Sequence, residues 1–202
     1  MKNLLMIVLC AAFFNSCSET EKKTADTSAS FVSRADSKNS AAFNDSFQKI
    51  LVAYYALKDA MVEADTIKAN AASRQLAVVA DSLKIMEIKN DSTGNIKETA
   101  KNYTGTINGS ALGLAGETDY LQKKKEFKMI SDAMYDLAQA VKYDREKIYH
   151  QHCPMAINDT DEAYWLSNSS AIVNPYLGKK HPKYKSAMVE CGDVADSLDF
   201  SK

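Results

Sequence analysis

Apolar side chains recur at three- and four-residue steps through four stretches between about residues 41 and 145. This spacing places apolar groups on one face of a helix and polar groups on the opposite face. It therefore predicts four amphipathic helices. Their apolar positions are Phe43, Phe47, Ile50, Leu51, Tyr54, Leu57 and Met61; Ala69, Ala72, Leu76, Val79, Leu83 and Met86; Ile96, Ala100, Tyr103, Ile107, Ala111 and Leu114; and Tyr120, Phe127, Ile130, Met134, Leu137 and Val141.

Short connections separate the predicted helices. Residues 90–94, Asn-Asp-Ser-Thr-Gly, have loop composition, and Asp65 and Thr118 are candidate N-caps of the second and fourth helices. Helices joined by short loops lie antiparallel to their neighbours. We therefore predict an all-α fold, an up-and-down four-helix bundle over residues 41–147.

Three glycines, Gly105, Gly109 and Gly113, interrupt the third predicted helix at a spacing of four residues. Each glycine costs a helix about 1 kcal/mol relative to Ala. One interpretation is the close approach of a partner helix or chain. We favour the other, which is close packing inside the bundle or a poorly formed helix.

The helical period stops near residue 148. All three histidines, all three prolines and the only tryptophan lie beyond this point. Residues 163–166 have the composition of a short strand, and residues 174–178, Asn-Pro-Tyr-Leu-Gly, indicate a turn. Because this part is too small to form its own core, we expect an irregular C-terminal segment, residues 148–195, packed on the bundle. Residues 196–202 would form a short tail.

The first 40 residues have the pattern of an exported, lipid-anchored protein. Lys2 precedes an apolar run from Leu4 to Phe14 that is too short to span a bilayer of about 30 Å. The run ends just before Cys17, so we predict a lipoprotein signal peptide over residues 1–17 with Cys17 lipidated. The alternative is an ordinary signal peptide in which Cys17 is incidental. The polar residues 18–40 predict a flexible tether, and the location would be the cell envelope, periplasmic or at the outer membrane.

Charge and motifs argue against several functions. The chain has 25 Lys and Arg against 26 Asp and Glu, a net charge of -1, which gives no long-range field to attract nucleic acid. The sequence contains no Ser-His-Asp arrangement, phosphate-binding glycine loop or HExxH motif. We therefore expect neither an enzyme nor an organic cofactor.

The C-terminal segment is rich in possible ligands for a soft metal ion. Two imidazoles, a thiol and a thioether lie within six residues, and a second thioether and thiol follow. They belong to His150, His152, Cys153, Met155, Met188 and Cys191. Thiolate, thioether and imidazole groups suit Cu(I) and, in part, zinc. The spacing is not that of a standard zinc site.

The arrangement of these ligands depends on local structure. In an extended chain, His150 and His152 point one way while Cys153 and Met155 point the other. A turn at Pro154 would bring the two sets together. The competing interpretation is a Cys153–Cys191 disulfide, which in an oxidising compartment would stabilise the fold by about 4 kcal/mol. The residues alone leave metal ligation and a disulfide open.

The C-terminal motifs resemble the signature of domain of unknown function 3347. They read HQHCPMA at 150–156, AYWLS at 163–167, IVNPYLG at 172–178 and MVECG at 188–192. The resemblance covers about residues 43–195, closely in this segment and loosely in the helices, including residues 54–60. Two departures are an acidic stretch at residues 159–162 and a longer interval from Gly178 to Met188, which contains His181, Pro182 and additional lysines.

The family that the chain resembles occurs in bacterial lipoproteins and as a domain appended to membrane-fusion adaptor proteins of copper/silver efflux pumps. The resemblance implies an extracytoplasmic domain for copper handling, with His152, Cys153, Met155, Met188 and Cys191 at family positions. We expect a lipoprotein that binds Cu(I) for buffering or for delivery to an efflux adaptor or another envelope protein. The alternative is a non-catalytic structural or protein-interaction module that the disulfide holds closed.

Overall fold

The computed structural model describes residues 39–201, and four long helices make up its first part. They are α1 (Ala41–Val62), α2 (Thr66–Asp81), α3 (Asn95–Gly116) and α4 (Tyr120–Val141). Each helix packs against the next one along the chain. The four predicted helices are therefore present. The predicted signal peptide, Cys17 and nearly all of the predicted tether lie outside the described residues.

The ends of the helices agree only in part with the N-caps and apolar positions predicted from the sequence. Asp65 caps α2 by accepting a 3.0 Å hydrogen bond from the backbone N–H of Lys68, as predicted. Asp119, rather than Thr118, caps α4 by accepting from the backbone N–H of Leu121 at 2.7 Å. The second helix ends before the last position of its predicted apolar stripe, and Met86 is 81% exposed.

The prediction of an all-α fold is wrong, because the C-terminal part forms a three-stranded antiparallel sheet. Its strands are β1 (Ile148–Ile157), β2 (Asp161–Ser167) and β3 (Asp193–Leu198), in the order β2-β1-β3. The fold is therefore mixed α/β. The segment predicted to be irregular contributes a central strand, and the sheet continues through residue 198.

Two features of β1 prevent its prediction from the alternation of apolar and polar residues. Polar His150 and His152 occupy alternate positions, and Pro154 lies inside a central strand. Pairing between β1 and β2 is irregular between Cys153 and Ile157. Proline is tolerated at such a bulge because no ladder hydrogen bond is required there.

The sheet lies between the helices and a long C-terminal loop. On one face, the ring of Tyr135 in α4 stacks on His150 with centroids 3.9 Å apart. On the other face, the buried Gln151 amide donates hydrogen bonds of 3.0 Å to the carbonyls of Ser169 and Ala171. The loop over residues 168–192 therefore covers the face of β1 that points away from α4.

The same loop is attached to the end of α1. The backbone N–H of Lys179 donates to the carbonyl of Val62 at 2.8 Å. Gly178 has a φ of 56°, and a Cβ at this position would lie 2.7 Å from the same carbonyl oxygen. Glycine is required here because only glycine allows this close approach in a left-handed conformation.

The glycines of α3 do not mark a tightly packed helix face. At Gly105 and Gly109 a Cβ would meet no atom of the described chain within 4 Å, and at Gly113 it would lie 3.1 Å from the Glu126 carboxyl carbon. α3 is nevertheless a continuous helix. The favoured interpretation of close packing is therefore wrong for Gly105 and Gly109. None of the helices within residues 39–201 is long and apolar enough to cross a membrane.

Candidate functional site

The sheet divides the predicted metal ligands into two groups. His152 pairs with Tyr164 across the β1–β2 ladder, and Cys153 pairs with Ala163. Paired residues share a face of a sheet, whereas successive residues along a strand point to opposite faces. His150 and His152 therefore lie on the α4 side, and Cys153 lies on the loop side. β1 stays extended through Pro154, so the turn that would join the two groups does not form.

The two cysteines of the described chain meet on the loop side. Their Sγ atoms lie 3.0 Å apart although the residues are separated by 38 positions in sequence. Cys153 is fully buried in β1, Cys191 is half-buried in the loop, and both are free thiols. The structure thus brings together one inner thiol and one thiol that is accessible from solvent.

The environment favours the protonated form of Cys191. Burial, followed by contact with Cys153, raises the pKa of Cys191 to about 12. The thiolate is the form that binds metals. A metal cation would reverse this preference, because ligand thiols lose their protons when the metal binds.

Two residues that the sequence analysis did not assign to the site hold Cys191 in place. Gly192 has a φ of 136°, and a Cβ there would lie 2.3 Å from the carbonyl oxygen of His152 and 3.0 Å from Cη2 of Trp165. The buried Asn174 side chain donates to the carbonyl oxygen of Cys191 at 2.8 Å. Glycine directly after the cysteine and asparagine before a proline were the available sequence signals.

The Asn174 side chain also organises the turn that carries it. Its Oδ1 atom accepts hydrogen bonds from the backbone N–H groups of Tyr176 at 2.8 Å and Leu177 at 3.0 Å. Its own backbone N–H donates to the carbonyl of Val189 at 2.7 Å. One buried amide therefore links the turn at residues 174–178 to the segment that ends in Cys191.

The two candidate methionines flank the cysteines in the chain. Met188 shares a turn with Cys191, whose backbone N–H donates to the Met188 carbonyl at 3.0 Å. Met155 lies two residues beyond Cys153 on β1. Both methionines are half-buried and pack against the core that contains Cys153.

The two imidazoles are held by other partners. The ring of His150 lies between Tyr135 and Tyr164, with centroids 3.9 and 4.8 Å away. Burial lowers the pKa of His150 from its ordinary value of 6.5. The Nε2 atom of His152 lies 3.1 Å from a carboxylate oxygen of Glu162, and its Nδ1 atom lies 3.7 Å from one of Asp193. These contacts hold both rings on the side of β1 opposite to Cys153.

The six predicted ligands therefore do not form one cluster. Within residues 39–201, no group of three or more His, Cys, Asp and Glu side chains is arranged to hold a metal ion. What the site can offer a soft ion is a pair of thiols, with thioethers nearby in the chain. The same pair of thiols can close to a disulfide.

The comparisons with known proteins concern the helical part. A family model described as "Protein of unknown function (DUF3347)" matches residues 50–146, from within α1 to just before β1. No curated protein and no solved structure matches the chain. The matched residues end before the sheet and the cysteine pair.

Proposed function

The chain belongs to the DUF3347 family, whose function is unknown, and we propose from its own cysteine pair that it binds Cu(I). The observation that carries this proposal is the 3.0 Å separation of the Cys153 and Cys191 sulfur atoms, in a pair that is open to solvent on the Cys191 side. Thiolate and thioether sulfur select Cu(I) over harder ions. In this proposal Cu(I) is the ion that the protein carries, and it is not a resident cofactor.

The ligand set that the geometry supports is smaller than the one expected from sequence. Cys153 and Cys191 supply the two thiolates, and Met188 and Met155 are the neighbouring thioethers. His150 and His152 are left out because Tyr135, Tyr164 and the carboxylates of Glu162 and Asp193 contact them on the opposite face.

A carrier role fits this site better than catalysis. A catalytic cysteine is activated by a neighbouring base, yet the nearest histidine in the chain, His152, points away from Cys153 across the strand. We propose that the protein is anchored through Cys17 in the cell envelope and buffers Cu(I) or delivers it to an efflux adaptor. Support for the location and the partner comes from the N-terminal pattern and the family resemblance.

The second candidate function is a non-catalytic structural or protein-interaction module whose loop is fixed by a Cys153–Cys191 disulfide. It is favoured by the same sulfur separation and by the raised pKa of Cys191, which disfavours a metal-free thiolate. A disulfide bond of about 2.05 Å needs only a small movement of these sulfurs. The two candidates differ in what the reduced protein does with copper.

The test is an anaerobic competition titration of the reduced protein against a coloured Cu(I) chelator. The wild type should remove one equivalent of Cu(I), and the Cys153→Ser/Cys191→Ser variant should remove none. The matched control is His150→Gln/His152→Gln, which should retain wild-type binding. If neither the wild type nor the control takes copper, or if the double-serine variant binds as well as the wild type, the proposal fails.

A further inference from the structure

A cavity of about 310 Å³, which the cysteine pair does not line, lies at the middle of the C-terminal loop. It opens where the turn between α1 and α2, the start of α4 and the segment after Gly178 meet. Ala64, Leu177 and Pro182 form apolar walls, and the ring of Tyr120 lines the cavity beside them. The segment after Gly178 is the part of the chain that is longer than the family resemblance leads one to expect.

A largely buried lysine, Lys124, lines this cavity without a direct ion pair. Only 7% of the surface of Lys124 is exposed, and within residues 39–201 its Nζ atom makes no hydrogen bond or ion pair. Its nearest ring partner is Tyr120, with the centroid 5.7 Å away. Burial lowers the pKa of Lys124, which is the expected effect of holding a charge away from water.

The preceding residue, Lys123, is a buried lysine that does have hydrogen-bond partners. Lys123 is 1% exposed, and its Nζ atom donates to Oδ1 of Asn70 at 2.6 Å and to the carbonyl of Leu114 at 2.7 Å. A buried charge is costly unless such partners compensate it. Lys124 is also buried but has no such direct partner, and the Asp159 carboxylate acts on it only from a distance. The cavity that Lys124 lines is therefore where a closer anion would bind.

The carboxylate nearest to this site is already paired. The Asp159 side chain lies 3.6 Å from Nε2 of His181 and 3.5 Å from the ammonium of Lys183. The Nδ1 atom of His181 accepts from the backbone N–H groups of Lys183 and Tyr184. His181 is therefore a wall of the cavity rather than a free ligand. Lys180, exposed at the rim, adds a second positive charge.

We propose that this cavity binds a small organic carboxylate, whose carboxylate group pairs with Lys124 and whose apolar body contacts Ala64, Leu177 and Pro182. The apolar residues that line the cavity indicate which class of ligand it binds. Inorganic phosphate would leave the apolar surface uncovered, and two lysines would satisfy few of its oxygens. The site shares no residue with the cysteine pair, so this proposal stands independently of Cu(I) binding.

The test is a titration of the full chain, labelled with ¹⁵N, with benzoate followed by amide chemical shifts. Benzoate should shift the amides of residues around the cavity, such as Tyr120, Leu177 and His181. Lys124→Met should weaken benzoate binding about tenfold or more, because a charge-assisted hydrogen bond is lost. Lys125→Met is the matched control, since Lys125 is exposed on the same helix, and it should bind benzoate like the wild type.

Two further arms make the outcome decisive. Benzamide, a neutral analogue of benzoate, should bind at least about tenfold more weakly. Lys124→Met should melt no lower than the wild type, because it removes a buried charge that has no direct ion pair. The proposal is overturned if benzoate shifts no cavity amide, if it binds Lys124→Met as tightly as the wild type, or if inorganic phosphate shifts the same amides with equal affinity.

Discussion

The hydroxyl oxygen of Tyr54 in α1 accepts a 3.0 Å hydrogen bond from the backbone N–H of Leu166 in β2. The same hydroxyl lies 2.8 Å from Oγ of Ser131 in α4. β2 is an edge strand, so an N–H that points away from β1 has no partner strand. One buried hydroxyl satisfies it and thereby joins two helices to the sheet.

Removing this hydroxyl should destabilise the protein. Tyr54→Phe leaves the buried N–H of Leu166 without an acceptor, so we expect the free energy of unfolding to fall by about 1–3 kcal/mol. The adjacent Tyr55 is the matched control, because its buried hydroxyl has no hydrogen-bond partner in the described part of the chain. Tyr55→Phe should be neutral or stabilising in denaturant unfolding. Equal losses in the two variants would contradict the assigned role of Tyr54.

A substitution at Gly192 should disturb the cysteine pair. Gly192→Ala places a Cβ against the carbonyl of His152 at a φ of 136°. We expect the free energy of unfolding to fall by about 1–3 kcal/mol from backbone strain alone. Gly109→Ala is the control, because that helical position is open, and it should stabilise the protein by about 0.5–1 kcal/mol.

Denaturant unfolding of both reduced variants measures this difference, and the rate of disulfide formation under mild oxidation gives a second readout. Gly192→Ala should form the Cys153–Cys191 disulfide more slowly than the wild type, since Cys191 is displaced. Unchanged stability together with an unchanged rate would show that Gly192 does not position the cysteine.

Stability should depend on the protonation of His150. Burial lowers the pKa of His150 in the folded protein from 6.5, so the unfolded chain binds more protons as the pH falls through this value. The stabilising contribution is therefore complete above about pH 6.5 and is lost as the pH falls toward the lower folded-state pKa. The stability difference between the wild type and His150→Gln should shift against the wild type between about pH 8 and about pH 5.5.

The measurement is a pair of denaturant curves for each protein at these two pH values, without metal and with reductant. Subtracting the variant removes the effects of the other titrating groups that the two proteins share. A difference that is the same at both pH values would show that the folded protein does not resist protonation of His150.

Oxidation should stabilise the wild type. A disulfide between Cys153 and Cys191 closes a loop of 38 residues, which in the chain-entropy model contributes about 4 kcal/mol before strain. We expect a reductant-dependent unfolding midpoint in the wild type and none in Cys153→Ser/Cys191→Ser. If the unfolding midpoint of the wild type is the same with and without reductant, the two sulfur atoms do not form a disulfide bond.

The helices were predictable because their apolar stripes are long and regular. Phe43 to Met61 and Tyr120 to Val141 repeat one face over several turns, and such a pattern has few alternative explanations. The stripe of α2 misled at its end, where Met86 is exposed beyond the helix. The spacing of apolar residues in the sequence does not show at which residue a helix stops packing against the rest of the fold.

The sheet was not predicted because several side chains of β1 are polar and make contacts that do not belong to an apolar face. His150 and His152 occupy strand positions where aromatic rings and carboxylates contact them. Only the Ala163–Leu166 stretch had the composition of a strand. Asn174 and Gly192 act through backbone geometry across long sequence separations, which composition and spacing do not encode.

The ligand prediction was limited by the same conformational question. An extended chain places the histidines and Cys153 on opposite sides, and β1 is extended. Pro154 suggested a turn, but it lies at a bulge within the strand. The meeting of Cys153 with Cys191 depends on the loop that Asn174 and Gly192 hold, so it required the folded structure.

The central claim is that sulfur alone holds Cu(I), and X-ray absorption of the reduced protein loaded with one equivalent of Cu(I) tests it most directly. The account predicts that the nearest scatterers are sulfur atoms and that the multiple scattering typical of imidazole is absent. The same spectrum should be found for His150→Gln/His152→Gln. Imidazole scattering in the wild type that disappears in this variant would contradict the claim and place the ion on the histidine face of β1.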